Sequence, residues 1–481
     1  MRFSIIYQKI NQFKIIELGL IFFIALSLRL YPIAVNPQIY SYGAGIFGDT
    51  HNYHKIAYNL LAGNSYSGND DGSAYGRRKT QRYSQEQADT ITYKPAITRG
   101  PVYPFFLAGV YKFLGGFNNN RSLGSWTKTW DMARIVQCIL DSFVVIFVFI
   151  MVRLLFPASF WPAFLAALLY AFNPYTIYFT KELLSETVTT FLMALWFLAV
   201  FFSIKNEQID AGAGRFFKLA MWFLSGCLFG LVCLSRMEYV PFIFVFSGIL
   251  IFYFKSNIKK IAGRLVIYGI GIAIVILPWT IRNYVEFNAF IPVAKGSLGY
   301  NLFIGSYETK DNWVGWEQFP RHIFKNDAEA DYASQLQRVY LDTYENGSIA
   351  ADRYDQDFKK LALRRISEKP LEVVLIWLSN VPRLWYQRYL PLYCHNEAPG
   401  ITYLFYIFGA AAALFLMPKI NRIYIGIVWG IFIYLSIFLM PFHIEPRYGL
   451  PIIPAMIVMA GIGIWLCMIK LRKISYSEDI K

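Results

Sequence analysis

The sequence predicts an all-α, polytopic membrane protein with about ten transmembrane helices and juxtamembrane helices in two long extracytoplasmic loops. Three observations predict it. Of 481 residues, 56% are hydrophobic and only 16% charged, against roughly 45–50% and about 25% in soluble domains. Apolar runs of about 20 residues, each long enough to cross a bilayer core, recur along most of the chain. Lys and Arg collect in alternate connections between those runs, as they do in cytoplasmic loops. This composition excludes disorder, collagen and coiled coil. The formal charge of +15 follows from the loop bias, so no nucleic-acid partner is expected.

The runs fall at roughly 15–34, 133–155, 160–179, 183–204, 216–234, 239–254, 263–281, 399–417, 423–441 and 450–469. The first follows Lys9 and Lys14 as in a signal peptide, but no small-residue cleavage site follows, so a retained first helix is expected. With the N-terminus inside, the inner connections hold Arg153; Lys205, Arg215 and Lys218; Lys255, Lys259, Lys260 and Arg264; and Lys419 with Arg422. The basic tail adds Lys470, Arg472 and Lys473, while the short outer connections hold only Lys181, Arg236 and Arg447. Both termini are then cytoplasmic and the number of crossings is even. The apolar stretch 371–392, with Arg383, Arg388 and Pro382, therefore reads as a helix lying in the outer interface. The cysteines show no CxxC spacing, so neither a disulfide framework nor a zinc cluster is implied.

Two long segments, 35–132 and 282–398, lie outside in this topology, and neither reads as an independent domain. The first carries a polar, mobile insertion from Asn64 to Lys94 and a short apolar helix, Val102 to Leu114. The second has aromatic clusters at Trp313, Trp316 and Phe319. The expected organisation is a transmembrane catalytic module, 1–305; a second extracytoplasmic loop, 306–398; and C-terminal transmembrane helices with a short basic tail, 399–481.

Five motifs carry chemistry. Asp49 opens a helix that includes Tyr53 and His54 and stops at Gly63; the helix macrodipole favours an anion at that end. Thr98-Arg99-Gly100-Pro101 with Tyr103 places one guanidinium on a stiff turn, suited to phosphate. Lys181, Glu182 and Glu186 precede the fourth run; the two acids are four apart and share a helix face. A charge at the depth expected for Glu186 costs about 2.5–3.5 kcal/mol on insertion scales, which flags it as functional. Arg282 ends the seventh run, and Arg447 and Tyr448 enter the last one within His443-Ile444-Glu445-Pro446-Arg447-Tyr448. Taken singly, each motif reads equally as a helix cap or an interfacial anchor. Together they place acids and arginines on one membrane face, as an anionic lipid-linked substrate would need. There is no GxSxG, HExxH or P-loop. His51 and His54 near Asp49 leave a divalent metal open, without a third ligand in view.

The segments GDTHNYHKIAYNLLAG and RGPVYPFFLAGVYKFLG after a first span with Arg29 resemble the N-terminal signature of GT-C fold glycosyltransferases. NPYTIYFTKELLSETVTTFLMALWF, LPWTIRNYVEFNAFIPVAKGSLGYNLFIG and EPRYGLPIIPAMIVMAG are similar to patterns of the protein O-mannosyltransferase and lipid A aminoarabinose transferase group. The resemblance covers most of 15–305 and returns at about 440–465. It implies a polyprenyl-phosphate-linked sugar donor, inversion at the anomeric carbon, and an extracytoplasmic active site in a cell membrane, expected to be the bacterial cytoplasmic one. The acceptor would be a glycolipid, protein or polysaccharide. By position it implies Asp49 as general base and Arg99 as donor-phosphate ligand, with Arg282, Arg447 and Lys181 as further phosphate ligands. Tyr53, His54, Tyr103, Glu182, Glu186 and Tyr448 would line the substrate pocket. One departure is Thr50, where many members carry a second acid, which weakens a metal site built on an acidic pair. The alternative is a transporter or flippase of a lipid-linked or anionic substrate; Asp141, inside the second run, is the charge that would favour it.

Overall fold

The computed structural model describes residues 15–35, 49–68, 94–114, 123–157, 159–208, 214–308, 319–345, 349–385 and 398–478. Most of the expected insertion 64–94, together with Trp313, Trp316, Arg388 and Cys394, lies outside these residues. The helices are α1 (Ile15–Val35), α2 (Asp49–Ala62), α3 (Val102–Phe113), α4 (Leu123–Leu155), α5 (Trp161–Ala171), α6 (Pro174–Phe179), α7 (Ser185–Gln208), α8 (Arg215–Ser235) and α9 (Phe242–Tyr253). They continue as α10 (Ile258–Phe287), α11 (Leu298–Gly305), α12 (Asp327–Glu345), α13 (Ala351–Glu368), α14 (Pro370–Trp385), α15 (Ala398–Leu416), α16 (Arg422–Leu439) and α17 (Ile453–Glu478).

Among the described residues, seven helical stretches are long and apolar enough to cross a membrane, and three shorter apolar ones, Trp161–Ala171, Met237–Tyr253 and Tyr406–Leu416, accompany them. Each of these ten overlaps one of the ten expected runs, and seven of them are of spanning length. The run 160–179 is corrected: it is not one continuous helix. Asn173 adopts an extended conformation before Pro174, and its side chain accepts from the backbone N–H groups of Tyr175 and Thr176, so α5 stops and α6 starts anew. At 11 residues α5 reaches only about 16 Å, roughly half the hydrocarbon thickness. The run 133–155 begins earlier, as α4 extends back to Leu123. Of the 371–392 stretch, the described residues belong to α14, to Trp385, and 386–392 lie outside the described residues.

Among the described residues four apolar clusters form, three of them large. The largest joins α1, α4, α5, α7 to α10 and α15 to α17 through residues such as Phe149, Trp196, Trp222 and Val458. A second ties α2 and α3 to α4 and the start of α7 through Tyr53, Tyr103, Leu107, Tyr111 and Trp130. A third, aromatic core binds α11, α12 and α13 through Tyr300, Phe303, Phe319, Tyr340 and Phe358. The α2–α3 core rests on α4 and the start of α7, and α11 packs against Pro441 and Phe442, after α16. Inside the bundle, Arg29 of α1 donates to Asp141 of α4 at 2.6 Å, and Tyr170 donates to the other oxygen of the same carboxylate at 2.6 Å.

Candidate functional site

Two backbone devices shape the site. Gly63 takes φ +84° past the end of α2, the left-handed position a helix stop needs. Gly100 packs against the carbonyl of Leu234 so closely that any Cβ would collide with the end of α8. The turn Thr98 to Pro101 is thereby seated on the bundle. Its carbonyls at Arg99 and Gly100 accept from the Tyr66 hydroxyl at 3.0 and 3.2 Å. Arg282 braces the same segment from α10. It donates to the carbonyls of Ala96 at 2.9 Å and Tyr66 at 3.4 Å, and lies over the rings of Tyr66 and Trp279.

On this base the acids and arginines converge. Asp49, in the first turn of α2, takes Arg99 on one carboxylate oxygen and Arg447 on the other, the latter at 2.9 Å. Arg99 also lies 5.4 Å over the Tyr53 ring. Arg447 reaches Glu445 at 2.6 Å and Glu186 at 3.5 Å. Glu186, in the first turn of α7, accepts from Arg236 at 2.9 Å. Arg236 pairs in turn with Glu238 and lies 4.9 Å over the Tyr448 ring. Residues up to about 400 positions apart thus form one ion-pair chain, open at Asp49 and Glu445, whose side chains are 31% and 26% exposed, and closed at Glu186, 3% exposed.

The electrostatics follow. Burial alone would raise the Asp49 carboxyl, but Arg99 and Arg447 outweigh it and hold the group below its ordinary value. Glu445 is likewise held low against burial, by Arg447 and His443. Burial pushes the Tyr53 phenol up, so it stays a neutral donor, 3.3 Å from the Ser185 hydroxyl.

The remaining expected residues sit around this centre in different ways. Tyr103 packs edge-on against Tyr53 at 4.9 Å and donates to Gln137 at 2.7 Å. His54 is buried with Nδ1 3.2 Å from both the Tyr111 hydroxyl and the Trp130 indole N–H, and burial depresses it to about 3. It is a neutral acceptor within the α2–α4 core. Lys181 and Glu182 shape the turn between α6 and α7: the Lys181 carbonyl accepts from Arg134, the Glu182 carbonyl from Gln137, and the Lys181 ammonium lies 5.0 Å over the Tyr178 ring. Burial raises the Glu182 carboxyl. Arg282 holds backbone rather than Asp49. Sequence reasoning missed Arg236, Glu238, Glu308 and Arg383 as members of the charged network. Among the described residues no three His, Cys, Asp or Glu side chains gather as a metal site.

A sequence model of a family described as dolichyl-phosphate-mannose-protein mannosyltransferase matches residues 99–281. That stretch includes Arg99, Lys181, Glu182 and Glu186. Archaeal oligosaccharyltransferase AglB from Archaeoglobus fulgidus, in complex with an inhibitory peptide and a dolichol-phosphate, superposes with a TM-score of 0.52 at 12% identity, covering 97% of this chain and 52% of that one. The apo form of the Archaeoglobus fulgidus enzyme gives 0.54 at 14% identity, with 97% and 52% covered. This is the GT-C glycosyltransferase fold. The chain spans about half the length of those structures. No curated protein matches the sequence significantly. The Asp49 cluster joins the start of α2, the turn before α3, the start of α7 and the segment before α17.

Proposed function

We propose that the protein is a membrane glycosyltransferase that moves a sugar from a polyprenyl-phosphate carrier to an acceptor hydroxyl, with inversion, on the extracytoplasmic side. The observation that carries this reading is the half-buried Asp49 carboxylate held between two guanidiniums, Arg99 and Arg447. The family match over 99–281 and the GT-C fold support it. The donor phosphate would engage Arg99 and Arg447 and free Asp49 from them. The acceptor oxygen then attacks the anomeric carbon, the carbon–oxygen bond to phosphate breaks, and the electron pair leaves with the lipid phosphate. Prepositioned guanidiniums stabilise that departing charge. Asp49 takes the acceptor proton, an effect typically worth about 10²–10⁴-fold.

Glu186, Glu445 and Arg236 would orient the arginines, Tyr53 and Tyr448 lie under the guanidiniums of Arg99 and Arg447, and Tyr103 backs Tyr53. Lys181 and Arg282 support the flanking turns at one remove. We place α14 in the outer interface, beside the lipid entrance, because Leu371, Leu375 and Leu378 form an exposed apolar stripe along it. Acceptor and sugar are identified by mass spectrometry of membrane glycolipids, glycoproteins and polysaccharides with and without the gene. With that pair, Asp49→Asn should lower transfer by at least about 100-fold while the protein still folds, its melting temperature reduced by the loss of the two ion pairs. Near-normal transfer by this variant would remove Asp49 from the mechanism. Transport of the lipid-linked substrate without a new glycosidic bond would replace the enzyme by a carrier.

A further inference from the structure

Glu308 and His443 extend the charged chain beyond the groups that the transfer reaction uses directly. His443 is 7% exposed, and both ring nitrogens face carboxylates: Nδ1 lies 2.8 Å from Glu308 and Nε2 lies 3.5 Å from Glu445. A ring that meets an acceptor at each nitrogen carries a proton on both and is an imidazolium. Its backbone is fixed as well, the N–H donating to the Asn301 carbonyl of α11 at 2.9 Å. Glu308, 3% exposed, follows α11 and takes Arg383 of α14 at 3.3 Å on its other oxygen. Glu445 grips Arg447, which grips Asp49. Arg383, Glu308, His443, Glu445, Arg447 and Asp49 therefore alternate in sign from α14 to the half-buried carboxylate.

We propose that His443 is a positioning residue of the glycosyl transfer, clamping Glu445 so that Arg447 stays aligned on Asp49 and coupling the α11–α14 segment to that alignment. The proposal rests on the glycosyltransferase reading above. Loss of the imidazolium charge would leave Glu308 and Glu445, two buried or half-buried carboxylates, bridged by a group able to donate only once. Glu445 would then lose one of its two cationic partners. Two carboxylates outweigh burial and raise the imidazole to about 9. Arg383 and Arg447 face the same two carboxylates, and burial pushes the neighbouring Tyr307 phenol well up, clear of that interval. The transfer should accordingly fall on the alkaline side as His443 loses its proton.

The test uses the full chain in lipid nanodiscs. Ring-labelled histidine NMR follows the protein's five histidines, and His443→Gln identifies the signal by its loss. The His443 ring should remain charged to about pH 9. His443→Gln should lower kcat/KM about tenfold, as for one charge-assisted hydrogen bond in a buried relay, and abolish the alkaline limb. Glu308→Gln leaves the ring in place but removes one of its anions. It should move both the NMR midpoint and the alkaline limb about one unit lower, a shift that a purely structural role would not produce. If His443→Gln does not fold, Glu308→Gln carries the test alone. A ring that titrates near its ordinary value, or variants that transfer like wild type with an unmoved limb, overturn the proposal. If wild type makes no glycosidic bond while the NMR midpoint stays near 9, the enzymatic reading itself has failed and the positioning role goes with it.

Discussion

Asp141 and Asp49 are both held by arginine, one within the bundle and one at its end. Asp141 is 2% exposed; Arg29 fills one of its oxygens, Tyr170 the other, and the rest of the guanidinium meets the carbonyls of Ala25, Ala171 and Tyr170 and the Thr176 hydroxyl. Every part of that pair is spoken for by protein, which ties α1 to α4 and to the α5–α6 break. Asp49 also receives two donors, yet 31% of its side chain meets solvent, so the pair is open on one side. A sealed pair fixes helices; an open one leaves room for chemistry. The contrast also speaks against a carrier built around Asp141, whose charge is neutralised in place.

Three changes would break or sharpen that contrast. The largest effect belongs to the sealed pair. Arg29→Met leaves Asp141 buried and unpaired, a loss of about 3–5 kcal/mol, seen as a lower melting temperature, and adding Asp141→Leu should restore much of it. If Arg29→Met melts like wild type, the pair does not hold the bundle. At the open pair, stability should barely move while affinity does. Arg99→Lys or Arg447→Lys replaces a planar fork by a point charge and should raise KM for the lipid-phosphate donor about tenfold. An unchanged KM would separate these arginines from phosphate binding.

The smallest effect is in acid. Arginine holds the Asp49 carboxyl below its ordinary 3.8, so in the free enzyme the base stays ionised as pH falls past that value. This stabilises the fold above the ordinary value and the contribution fades only as pH drops through the lowered one. Once phosphate takes the arginines, the carboxyl rises. The acid limb of kcat should therefore lie above that of kcat/KM. Coincident limbs would mean that Asp49 keeps its arginines throughout the cycle.

Much of this was legible in the sequence, for physical reasons that also explain the rest. Apolar length gave the bundle, because a membrane core sets a minimum run. Asp49, Arg99, Glu186 and Arg447 stood out because each is a charge at an apolar boundary beside a Pro, Gly or helix start. Their pairing is set by how α2, α7 and the segment before α17 pack, which no local pattern encodes. Lys181 and Arg282 carry the same local signature, yet the structure gives them the turn before α7 and the 66–96 backbone instead. Arg236 read as one charge in a short loop; its partner Glu186 lies 50 positions away. The break at Asn173 was available from the Asn-Pro pair, but the unbroken apolar composition masked it.

The seat that Asp49 occupies at rest has a consequence for turnover. On the proposed mechanism the protein carries its own competitor for the incoming phosphate, tethered and always present. An idle molecule then keeps its cationic seat filled, shielded from stray phosphate and sulfate. After transfer, Asp49 holds the acceptor's proton and cannot reclaim the arginines until it gives that proton up. Shedding the proton and ejecting the spent lipid would become a single event, so the last step of each cycle would reset the first.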